Sequence, residues 1–468
     1  MQNKIRRIHF IGVGGSGMSG IAEVLLNQGF FVQGTDIETS VATNRLINQG
    51  ARIFTDHHPE NIIGADVCVV SSAIKSDNPE IIQAKKLKIP IVPRASMLSE
   101  LMRFKQGIAV AGSHGKTTTT SMISSVLACA GLDPTYVLGG RIKGSETGAR
   151  LGKGEYLVVE ADESDGSFLD LTPVLGVITN IDNDHLAFYD NDIDKLKSAF
   201  VSFAHKLPFY GIVFSSADDR TVRALIPQFG RKTILVGETE DADIQVVSTR
   251  SEALKTNYSI KQKNFNDLDI VLLMPGKHNI INSLFAVAVA RELGVDDENI
   301  RKGLMDYKGV ERRFQYQGIF VTRSGVKFGV VDDYGHHPTE IKATLDACKE
   351  AFPNQKILLT FQPHRYTRTR DLFEEFVKVL SEVDSLILLS VYPAGENEII
   401  GADSKTLARS IRILNKVNPI VVSNETEALD AIFSILDSED IVLLMGAGSV
   451  SKLTKLIKNK VEQVNYGH

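Results

Sequence analysis

The chain has 468 residues, a formal net charge of −5 and 43% hydrophobic residues. This length exceeds what one ordinary hydrophobic core supports, so two or three domains are expected. The weakly acidic balance argues against a general nucleic-acid surface. No apolar run in the sequence approaches the roughly 18 residues that a membrane-spanning helix requires.

The start of the chain and its cysteines indicate an intracellular protein. Residues 1–7 are basic, but they lead directly into an apolar run and a glycine-rich turn, which predicts a first strand and not a signal peptide. Cys68, Cys129 and Cys348 have no metal-ligand spacing, and each lies in an apolar strand or helix pattern. Buried free thiols in a reducing cytoplasm are therefore expected.

Strand and helix signals alternate along the whole chain, in three successive blocks. The predicted strands are 8–13, 31–35, 66–71, 89–92, 108–111, 156–160, 175–180, 211–215, 270–274, 356–361, 385–391, 419–422 and 441–446. The predicted helices include 18–28, 119–129 and 278–293. Near-continuous apolar strands separated by helices are typical of buried parallel sheets. The fold class is therefore α/β, with a fresh strand-loop-helix unit near residue 107 opening a second domain.

The most informative motif follows the apolar strand at 108–111 and reads G-S-H-G-K-T-T-T. Glycines let backbone N–H groups approach phosphate oxygens, and the following helix adds positive partial charge. A lysine can then reach the outer phosphates, and a hydroxyl can ligate Mg²⁺. The candidate phosphate residues are Gly112, Ser113, His114, Gly115, Lys116, Thr117 and Thr118. The loop is shorter than the usual pattern, and the alternative is a turn that merely contains Lys-Thr.

A second glycine motif, residues 12–17, fits G-x-G-x-x-G between a strand and a helix. Asp36 ends the next strand, about 20 residues on, where a ribose-binding acid would lie. The pattern indicates that a pyrophosphate can sit on this turn. It does not distinguish a nicotinamide or flavin cofactor from a nucleotide sugar, and a ligand-free turn remains an alternative.

Acidic and histidine residues follow two further strands. Glu160 comes directly after the strand at 156–159 and is placed to hold Mg²⁺ near a γ-phosphate. Asp162, Glu163 and Asp165 are either ligands or a solvated loop. His185 ends the run N-I-D-N-D-H and is either a metal ligand or a surface histidine.

Polar residues later in the chain suit nucleotide recognition. Asn279 and Asn282 share a helix face and suit the edge of adenine, although Asn279 alone would more often cap the helix. Arg313 lies at the second domain boundary and is either a γ-phosphate arginine on a hinge or part of a surface salt bridge.

Two motifs in the last block follow predicted strands. Residues 332–340 read D-D-Y-G-H-H-P-T-E, and residues 361–371 read F-Q-P-H-R-Y-T-R-T-R-D. The second motif concentrates positive charge where open α/β sheets bind ligands, which favours an anionic substrate. A solvated basic helix start is the alternative.

Taken in order, these motifs resemble the Mur ligase family of bacterial cell-wall synthesis. The resemblance is carried by GVGGSGMSG at 12–20, GSHGKTTT at 112–119, EADESD at 160–165, Asp184-His185, residues 275–282, and the 332–340 and 361–371 motifs. The GSHGKTTT loop marks the superfamily, and the last two motifs narrow it to the alanine-adding branch. A related branch that recycles murein tripeptide is the alternative.

The resemblance implies three domains. These are a Rossmann-like UDP-binding domain over 1–106, a central P-loop ATPase-type domain over 107–312, and a C-terminal Rossmann-like α/β domain over 313–468 that receives the amino acid. The implied activity is ATP-dependent ligation of L-alanine to the lactyl carboxylate of UDP-N-acetylmuramate through an acyl phosphate. ATP and two Mg²⁺ ions are the implied cofactors. Neither nucleic acid nor membrane insertion is expected, and the implied state is a cytoplasmic monomer or weak homodimer.

The resemblance also assigns roles to residues. The implied contacts to the UDP substrate are Gly14, Gly15, Ser16, Gly17, Met18, Asp36, Ser71, His364, Arg365 and Arg368. The implied contacts to ATP are residues 112–118, Asn279, Asn282, Arg313, Asp333 and Tyr334. The implied metal ligands are Thr117 and Glu160 for one ion and His185 for the other. The implied catalytic residues are Lys116, Glu160, His185, Arg313 and His336, with His336 a candidate base for alanine.

The chain departs from the family pattern in two places. Some relatives carry a carbamylated lysine after the Asp-His motif, but Lys195, Lys197 and Lys206 lack the matching context, and none is claimed. Gly148 stands where asparagine is expected, which leaves the substrate contacts of residues 144–150 open.

Overall fold

The computed structural model describes residues 5–71, 73–144, 147–184 and 186–464, without the side chains of Ser16 and 462–464. Over the described residues the chain forms two compact units. One runs over Met1–Thr249, Asn257–Leu272 and Asn279–Val310, and the other over Arg250–Thr256, Leu273–His278 and Glu311–His468. Three β-sheets with covering helices give the α/β fold that the sequence predicts.

The first sheet has five parallel strands in the order β3-β2-β1-β4-β5. The strands are β1 Arg7–Ile11, β2 Phe31–Thr35, β3 Arg52–Phe54, β4 Val67–Val70 and β5 Ile91–Pro93. The helices are α1 Ser16–Asn27, α2 Val41–Asn48, α3 Pro79–Lys86 and α4 Arg94–Met102. The reversal of strand order beside β1 is the position at which such sheets bind ligands, beyond the carboxyl ends of the strands.

The second sheet has ten strands in the order β15-β14-β13-β12-β11-β10-β6-β9-β7-β8. The strands are β6 Gln106–Ala111, β7 Thr135–Val137, β8 Ala149–Arg150, β9 Tyr156–Glu160, β10 Leu175–Ile178, β11 Ile212–Ser216, β12 Lys232–Gly237, β13 Ile244–Glu252, β14 Lys255–Gln262 and β15 Phe265–Leu272. The helices are α5 Lys116–Cys129, α6 Ile193–Lys206, α7 Arg220–Phe229, α8 Lys277–Glu292 and α9 Asp297–Met305. Strand β6 lies between β9 and β10, parallel to both.

The third sheet has seven strands in the order β20-β19-β18-β21-β17-β16-β22. The strands are β16 Gln315–Val321, β17 Lys327–Asp333, β18 Ile357–Phe361, β19 Ser385–Leu389, β20 Ile420–Val422, β21 Ile441–Met445 and β22 Glu462–Val464. The helices are α10 Pro338–Ala351, α11 Tyr366–Asp371, α12 Phe373–Leu380, α13 Ser404–Ile413, α14 Glu425–Ile435 and α15 Lys452–Lys460. Strands β17 to β21 pair in parallel, and β16 pairs antiparallel with both of its neighbours.

One hydrophobic core joins the first two sheets. It includes residues of β1 and α1 as well as the aromatic group on α6 and the 3₁₀ turn before β10. Phe168 lies 5.3 Å from both Phe200 and Phe203, measured between ring centroids. Helix α5 is buried on nearly all sides and packs closely on α9, where Ser125 donates a hydrogen bond to the carbonyl of Gly303 at 2.8 Å. Ala109 and Ala111 of β6 belong to this core, and β6 leads directly into the turn that precedes α5.

Three details differ from the sequence predictions. The run from β13 to β15 forms a meander of three long strands, whereas the sequence indicated only a strand at 270–274. Strand β14 alternates between buried and mostly partly buried side chains, and β13 and β15 each contain a run of exposed residues, so no continuous apolar run marks the meander. Asn279 is not a helix cap, because α8 begins at Lys277. Cys68 and Cys348 are buried free thiols, but Cys129 is only partly buried because it ends α5 near the surface.

The contact between α5 and α9 predicts a sensitive position. A Cβ added at Gly303 would lie 2.6 Å from the Cα of Val126, so one helix must move to accept any side chain. We expect Gly303→Val to lower the free energy of unfolding by about 3 kcal/mol, the upper end of the usual cost of overpacking, because the added side chain would meet backbone. Ser125→Ala, which removes only a hydrogen bond there, should cost about 1 kcal/mol. Urea unfolding of both variants checks this, and equal losses would contradict the packing argument.

Candidate functional site

The glycine turn after β1 meets the ends of the two neighbouring strands. The Gly14 N–H donates to Asp36 Oδ2 at 2.7 Å, and the N–H groups of Gly12 and Val13 donate to the Thr35 carbonyl at 2.8 and 3.1 Å. A Cβ added at Gly12 would lie 3.2 Å from the Cβ of Ser71. The structure thus brings together Gly14, Asp36 and Ser71, which the sequence assigned to one ligand.

The other predicted residues of this turn lie in the first turn of α1. Gly15 precedes the helix in an extended conformation and offers no side-chain cap, so the helix start exposes backbone N–H groups. The Met18 side chain belongs to the hydrophobic core, which leaves its backbone for any ligand contact. The side chain of Ser16 lies outside the described part of the chain. Sequence analysis missed Arg94, whose Nη1 would be 3.2 Å from a Cβ on Gly17.

The buried carboxylate of Glu80 supports the same glycine turn through Thr35. Glu80 is fully buried and accepts hydrogen bonds from Thr35 Oγ1 at 2.5 Å and Asn61 Nδ2 at 2.9 Å. His57 Nδ1 lies 3.0 Å and His9 Nε2 3.6 Å from its other oxygen. Burial alone would raise the pKa of Glu80, but these polar partners lower it to about 2. Thr35 therefore connects an ionised buried carboxylate to the backbone of the glycine turn.

The phosphate loop, residues 112–115, links β6 to α5 with a left-handed backbone at two glycines. Gly112 has φ of +134° and Gly115 has φ of +81°, and both lie against neighbouring side chains. Side chains at these positions would be strained, which explains why the motif needs glycine. The backbone then enters α5 at Lys116, so the helix start faces the loop.

The end of β10 holds this loop in place. The His114 N–H donates to Asn180 Oδ1 at 2.8 Å, and the His114 carbonyl accepts from Thr179 Oγ1 at 2.7 Å. Its ring Nε2 lies 3.0 Å from Asp182 Oδ2. The Asp182 N–H donates to Ser113 Oγ at 2.9 Å. His114 and Ser113 are predicted ATP contacts. In the structure the His114 ring Nε2 and the Ser113 hydroxyl contact Asp182 and stabilise the loop.

Lys116 is held by a buried ion pair. Its Nζ donates to the carbonyls of Gly112 at 2.6 Å and Ser113 at 3.2 Å, and it lies 2.8 Å from Glu163 Oε2. The Glu163 side chain is 1% exposed, so this acid is not part of a solvated loop. Burial raises the pKa of Glu163 to about 7 against the opposing effect of Lys116. For Lys116, burial favours the neutral amine, but Glu163 holds the pKa above its ordinary value.

Thr117 and Glu160, the predicted ligands of one Mg²⁺ ion, lie side by side. The Thr117 hydroxyl donates to Glu160 Oε1 at 2.8 Å, and the Gly139 N–H donates to Glu160 Oε2 at 2.6 Å. A hydroxyl and a carboxylate are the hard oxygen ligands that Mg²⁺ prefers, so this pair fits the ion. His185, the predicted ligand of the second ion, lies outside the described residues.

The two asparagines of α8 are buried in its first turns. Asn282 Oδ1 lies 3.3 Å from Thr119 Oγ1 and would be 2.5 Å from a Cβ on Gly115. Asn282 therefore packs against the phosphate loop and the start of α5. Asn279 is also buried. Their assignment to adenine stays a prediction.

In the second unit, Arg313 and its neighbours surround Tyr334. Arg313 Nη1 donates to Glu340 Oε1 at 3.2 Å, and its guanidinium carbon lies 5.2 Å from the centre of the Tyr334 ring. Asp333 is buried and accepts from the Phe314 N–H at 2.7 Å and the Gly335 N–H at 2.6 Å. Burial raises the pKa of Asp333 to about 6. Arg313, Asp333 and Tyr334, predicted to contact ATP, form one cluster.

The two histidines after β17 have different environments. His336 Nδ1 lies 3.1 Å from the Tyr334 carbonyl, which can only accept a hydrogen bond. The proton of a neutral His336 therefore belongs on Nδ1, which leaves a lone pair on Nε2. His337 is buried, and its Nδ1 caps α10 by accepting from the Thr339 N–H at 3.3 Å.

The basic loop, residues 363–368, follows β18 and places His364 beside two further rings. The ring centroid of His364 lies 5.5 Å from those of His336 and Tyr392, and it stacks on Tyr392 at an angle of 10°. Arg368 Nη1 donates to the His364 carbonyl at 3.3 Å. Arg365 is half exposed. The predicted substrate residues of this loop therefore share one edge of the third sheet with His336.

Sequence reasoning missed Glu80 and Glu396, and it left open whether Glu163 is a ligand or part of a solvated loop. Glu80 and Glu163 act through burial, which the sequence alone does not reveal, and Glu396 lies in a loop after β19. The signal for Glu396 was the segment Y-P-A-G-E, a turn motif at the end of a buried strand. Within the described ranges, no helix combines the length and apolar character needed to cross a membrane.

Comparison with known proteins gives consistent matches over the whole chain. Protein-family models match at residues 7–106 (Mur ligase family, catalytic domain), 110–290 (Mur ligase middle domain) and 312–448 (Mur ligase, glutamate ligase domain). The chain is 51% identical to UDP-N-acetylmuramate–L-alanine ligase of Thiobacillus denitrificans, covering 97% of this chain and 98% of that protein. It is 48% identical to the protein of the same name from Delftia acidovorans, covering 100% and 99%.

Solved structures agree with these matches. The crystal structure of the UDP-N-acetylmuramate–alanine ligase MurC from Thermotoga maritima has a TM-score of 0.81 and 29% identity, covering 97% of this chain and 98% of the other. A murein peptide ligase from Psychrobacter arcticus has a TM-score of 0.70 at 21% identity, covering 98% and 100%, which indicates a shared fold.

The charged state of Glu80 predicts an acid-sensitive stability. Because its folded pKa of about 2 lies below the ordinary value of 4.5, the carboxylate stabilises the fold above pH 4.5, and this contribution is lost as the pH falls towards 2. At pH 7 it is worth about 3 kcal/mol. We expect Glu80→Gln to lower the free energy of unfolding at pH 7 and to differ less from the native chain at pH 3. A difference that does not change between these pH values would refute the ionised state.

Proposed function

The chain belongs to the Mur ligase family, and from this premise we propose that it joins L-alanine to the lactyl carboxylate of UDP-N-acetylmuramate and consumes ATP. The observation that carries the proposal is full-length identity near 50% to proteins named for this reaction. The phosphate loop with its adjacent Thr117 and Glu160 supports it independently. The family relationship implies ATP use, and the alanine acceptor is favoured over murein tripeptide.

The chemistry requires activation of a carboxylate, which is a poor electrophile. A lactyl carboxylate oxygen attacks the γ-phosphorus of ATP, and ADP leaves, giving an acyl phosphate. The free amine of L-alanine then attacks the acyl carbon, and the tetrahedral intermediate expels phosphate to leave the amide. Phosphoryl transfer needs alignment and charge neutralisation more than covalent help.

The central sheet supplies residues for the ATP side of this reaction. Backbone N–H groups of the phosphate loop and the start of α5 bind phosphate oxygens. Lys116 adds a positive charge, and its ion pair with Glu163 positions the ammonium group at the loop in the absence of nucleotide. Thr117 and Glu160 would hold Mg²⁺, which neutralises charge on the phosphoryl oxygens when bound. A second ion at His185 remains part of the proposal.

The second unit supplies residues for the acceptor side. His364, Arg365 and Arg368 bind the anionic muramoyl substrate and offset its repulsion from ATP. Arg313 binds the γ-phosphate. His336 is the candidate base for the alanine ammonium, and the contact of its Nδ1 with the Tyr334 carbonyl orients the ring.

The first sheet supplies the UDP site. The glycine turn and the first turn of α1 bind the pyrophosphate through backbone N–H groups, and Asp36 binds the ribose in exchange for its bond to Gly14. We place the domains at 1–106, 107–312 and 313–468. A reaction that uses ATP and a UDP-linked precursor belongs in the cytoplasm.

The decisive assay measures phosphate release with ATP, Mg²⁺ and UDP-N-acetylmuramate, with and without L-alanine. We expect release to require both substrates and an amide product by mass spectrometry. Activity with murein tripeptide but not with alanine would assign the chain to the recycling branch. Release that depends on neither substrate would contradict the ligase proposal.

A substitution at the phosphate loop tests the assignment of Lys116. Lys116→Ala should reduce ligation at least 100-fold, because the transferring phosphoryl group loses a charged contact. Binding of UDP-N-acetylmuramate, measured by calorimetry, should be unchanged, because the UDP site lies on another sheet. Lys232→Ala, at an exposed lysine of β12, is the matched control. Near-normal turnover of Lys116→Ala would remove Lys116 from the reaction.

A further inference from the structure

Two loops at the edge of the third sheet are fastened together. One is the basic loop after β18, and the other, residues 390–396, follows β19. The Arg365 N–H donates to the Tyr392 carbonyl at 2.8 Å, and the Tyr392 N–H donates to the Pro363 carbonyl at 2.8 Å. The stack of His364 on Tyr392 lies beside this backbone ladder. The second loop therefore sets the path of the first.

The basic loop enters α11 through a strained residue. Arg365 stands at the cap position with φ of +71°, a region that residues with a Cβ rarely adopt, and its side chain does not cap the helix. Such a conformation costs about 1–3 kcal/mol and persists only where surrounding contacts impose it. A short helix without its own cap also leaves its first N–H groups in need of acceptors.

Glu396 provides the missing acceptor from the neighbouring loop. Its Oε2 accepts from the Thr367 N–H at 3.0 Å, and its Oε1 accepts from the Thr367 hydroxyl at 2.7 Å. Arg365 Nη1 lies 4.0 Å from Oε1. Although partial burial favours the protonated form, the two donors of Thr367 and the charge of Arg365 lower the pKa of Glu396 below its ordinary value. The carboxylate is therefore ionised at neutral pH.

A tight turn brings Glu396 into this position. Ala394 and Gly395 have φ of +47° and +85°, and the Glu396 N–H donates to the Pro393 carbonyl at 3.0 Å. The chain reverses direction after Tyr392. As a result Tyr392 stacks on His364, and Glu396, four residues later, caps α11. Arg365 itself remains half exposed, so Glu396 orients it without withdrawing it from solvent.

We propose that Glu396 is a positioning residue for substrate binding: it caps α11 from the neighbouring loop and holds Arg365 in the orientation that binds the muramoyl substrate. This inference rests on the proposed function of the basic loop. Glu396 acts through its neighbours and is not itself a contact to substrate.

The test compares Glu396→Ala, Glu396→Gln and the control Glu398→Gln in the ligation assay on the full chain. Glu398 is an exposed carboxylate two residues further along, so its substitution changes the same charge. We expect Glu396→Ala to raise the KM for UDP-N-acetylmuramate roughly tenfold, the usual effect of losing a charge-assisted hydrogen bond. The KM for ATP and the melting temperature should change little. Glu396→Gln, which retains one acceptor oxygen, should recover part of the loss.

A double-mutant cycle with Arg365→Ala separates positioning from a general structural effect. If Glu396 acts through the basic loop, Glu396→Ala should have little further effect once Arg365 is gone. Additive effects, or a KM for UDP-N-acetylmuramate that Glu396→Ala does not change, would overturn the inference. If Glu396→Ala folds poorly, Thr367→Val provides the same test. It removes the hydroxyl that donates to Glu396 and should raise the KM for UDP-N-acetylmuramate by part of the expected amount.

The cycle also separates the proposed role of the basic loop from the proposed role of Glu396. An Arg365→Ala variant with normal kinetics would overturn the proposed role of the basic loop itself. An impaired Arg365→Ala variant beside a normal, folded Glu396→Ala variant would overturn only the role of Glu396.

Discussion

The site in the central sheet depends on the parallel pairing of β6 with β9 and β10. In a parallel sheet the carboxyl ends of neighbouring strands meet at one edge. The phosphate loop follows β6, Glu160 ends β9, and the segment that braces His114 follows β10. One pairing pattern therefore brings the segment after β10 into hydrogen-bond contact with the phosphate loop and places Glu160 against the Thr117 hydroxyl at the start of α5.

Buried charged side chains near both glycine-rich turns constrain the structure, because each of them needs a compensating partner. An ionised side chain out of water is stable only when a partner compensates it. Lys116 has Glu163, and Glu80 has a ring of hydrogen-bond donors that includes Thr35. In both places the buried carboxylate connects to a glycine-rich turn, either through the phosphate-loop lysine or through the residue that anchors the turn. The same arrangement thus supports both glycine-rich turns.

Both the phosphate loop and the basic loop contain residues with a positive φ. Gly112 and Gly115 use the freedom of glycine, while Arg365 adopts a positive φ with a full side chain. Arg365 is held because Glu396 and Tyr392 fasten its loop from the next strand. Glycine adopts such a conformation without strain, so the surrounding contacts must stabilise it at Arg365.

The sequence by itself determined the fold class and the residues that meet at each strand end. Apolar runs and glycine spacing are local signals, and they located the strands before the phosphate loop and Glu160. They failed for the meander β13–β15, because runs of exposed residues in β13 and β15 leave no continuous apolar segment. Motif spacing predicted that Thr117 and Glu160 act together, and the structure places them in hydrogen-bond contact, while their role as metal ligands stays a prediction.

Only the tertiary structure decided which side chains support the site. Glu163, Glu80 and Glu396 are distant in sequence from the residues they hold, and nothing in their local context separates them from surface acids. Their roles follow from burial and from contacts between strands that are not neighbours in the chain. Those are properties of packing, which a linear pattern of residues does not contain.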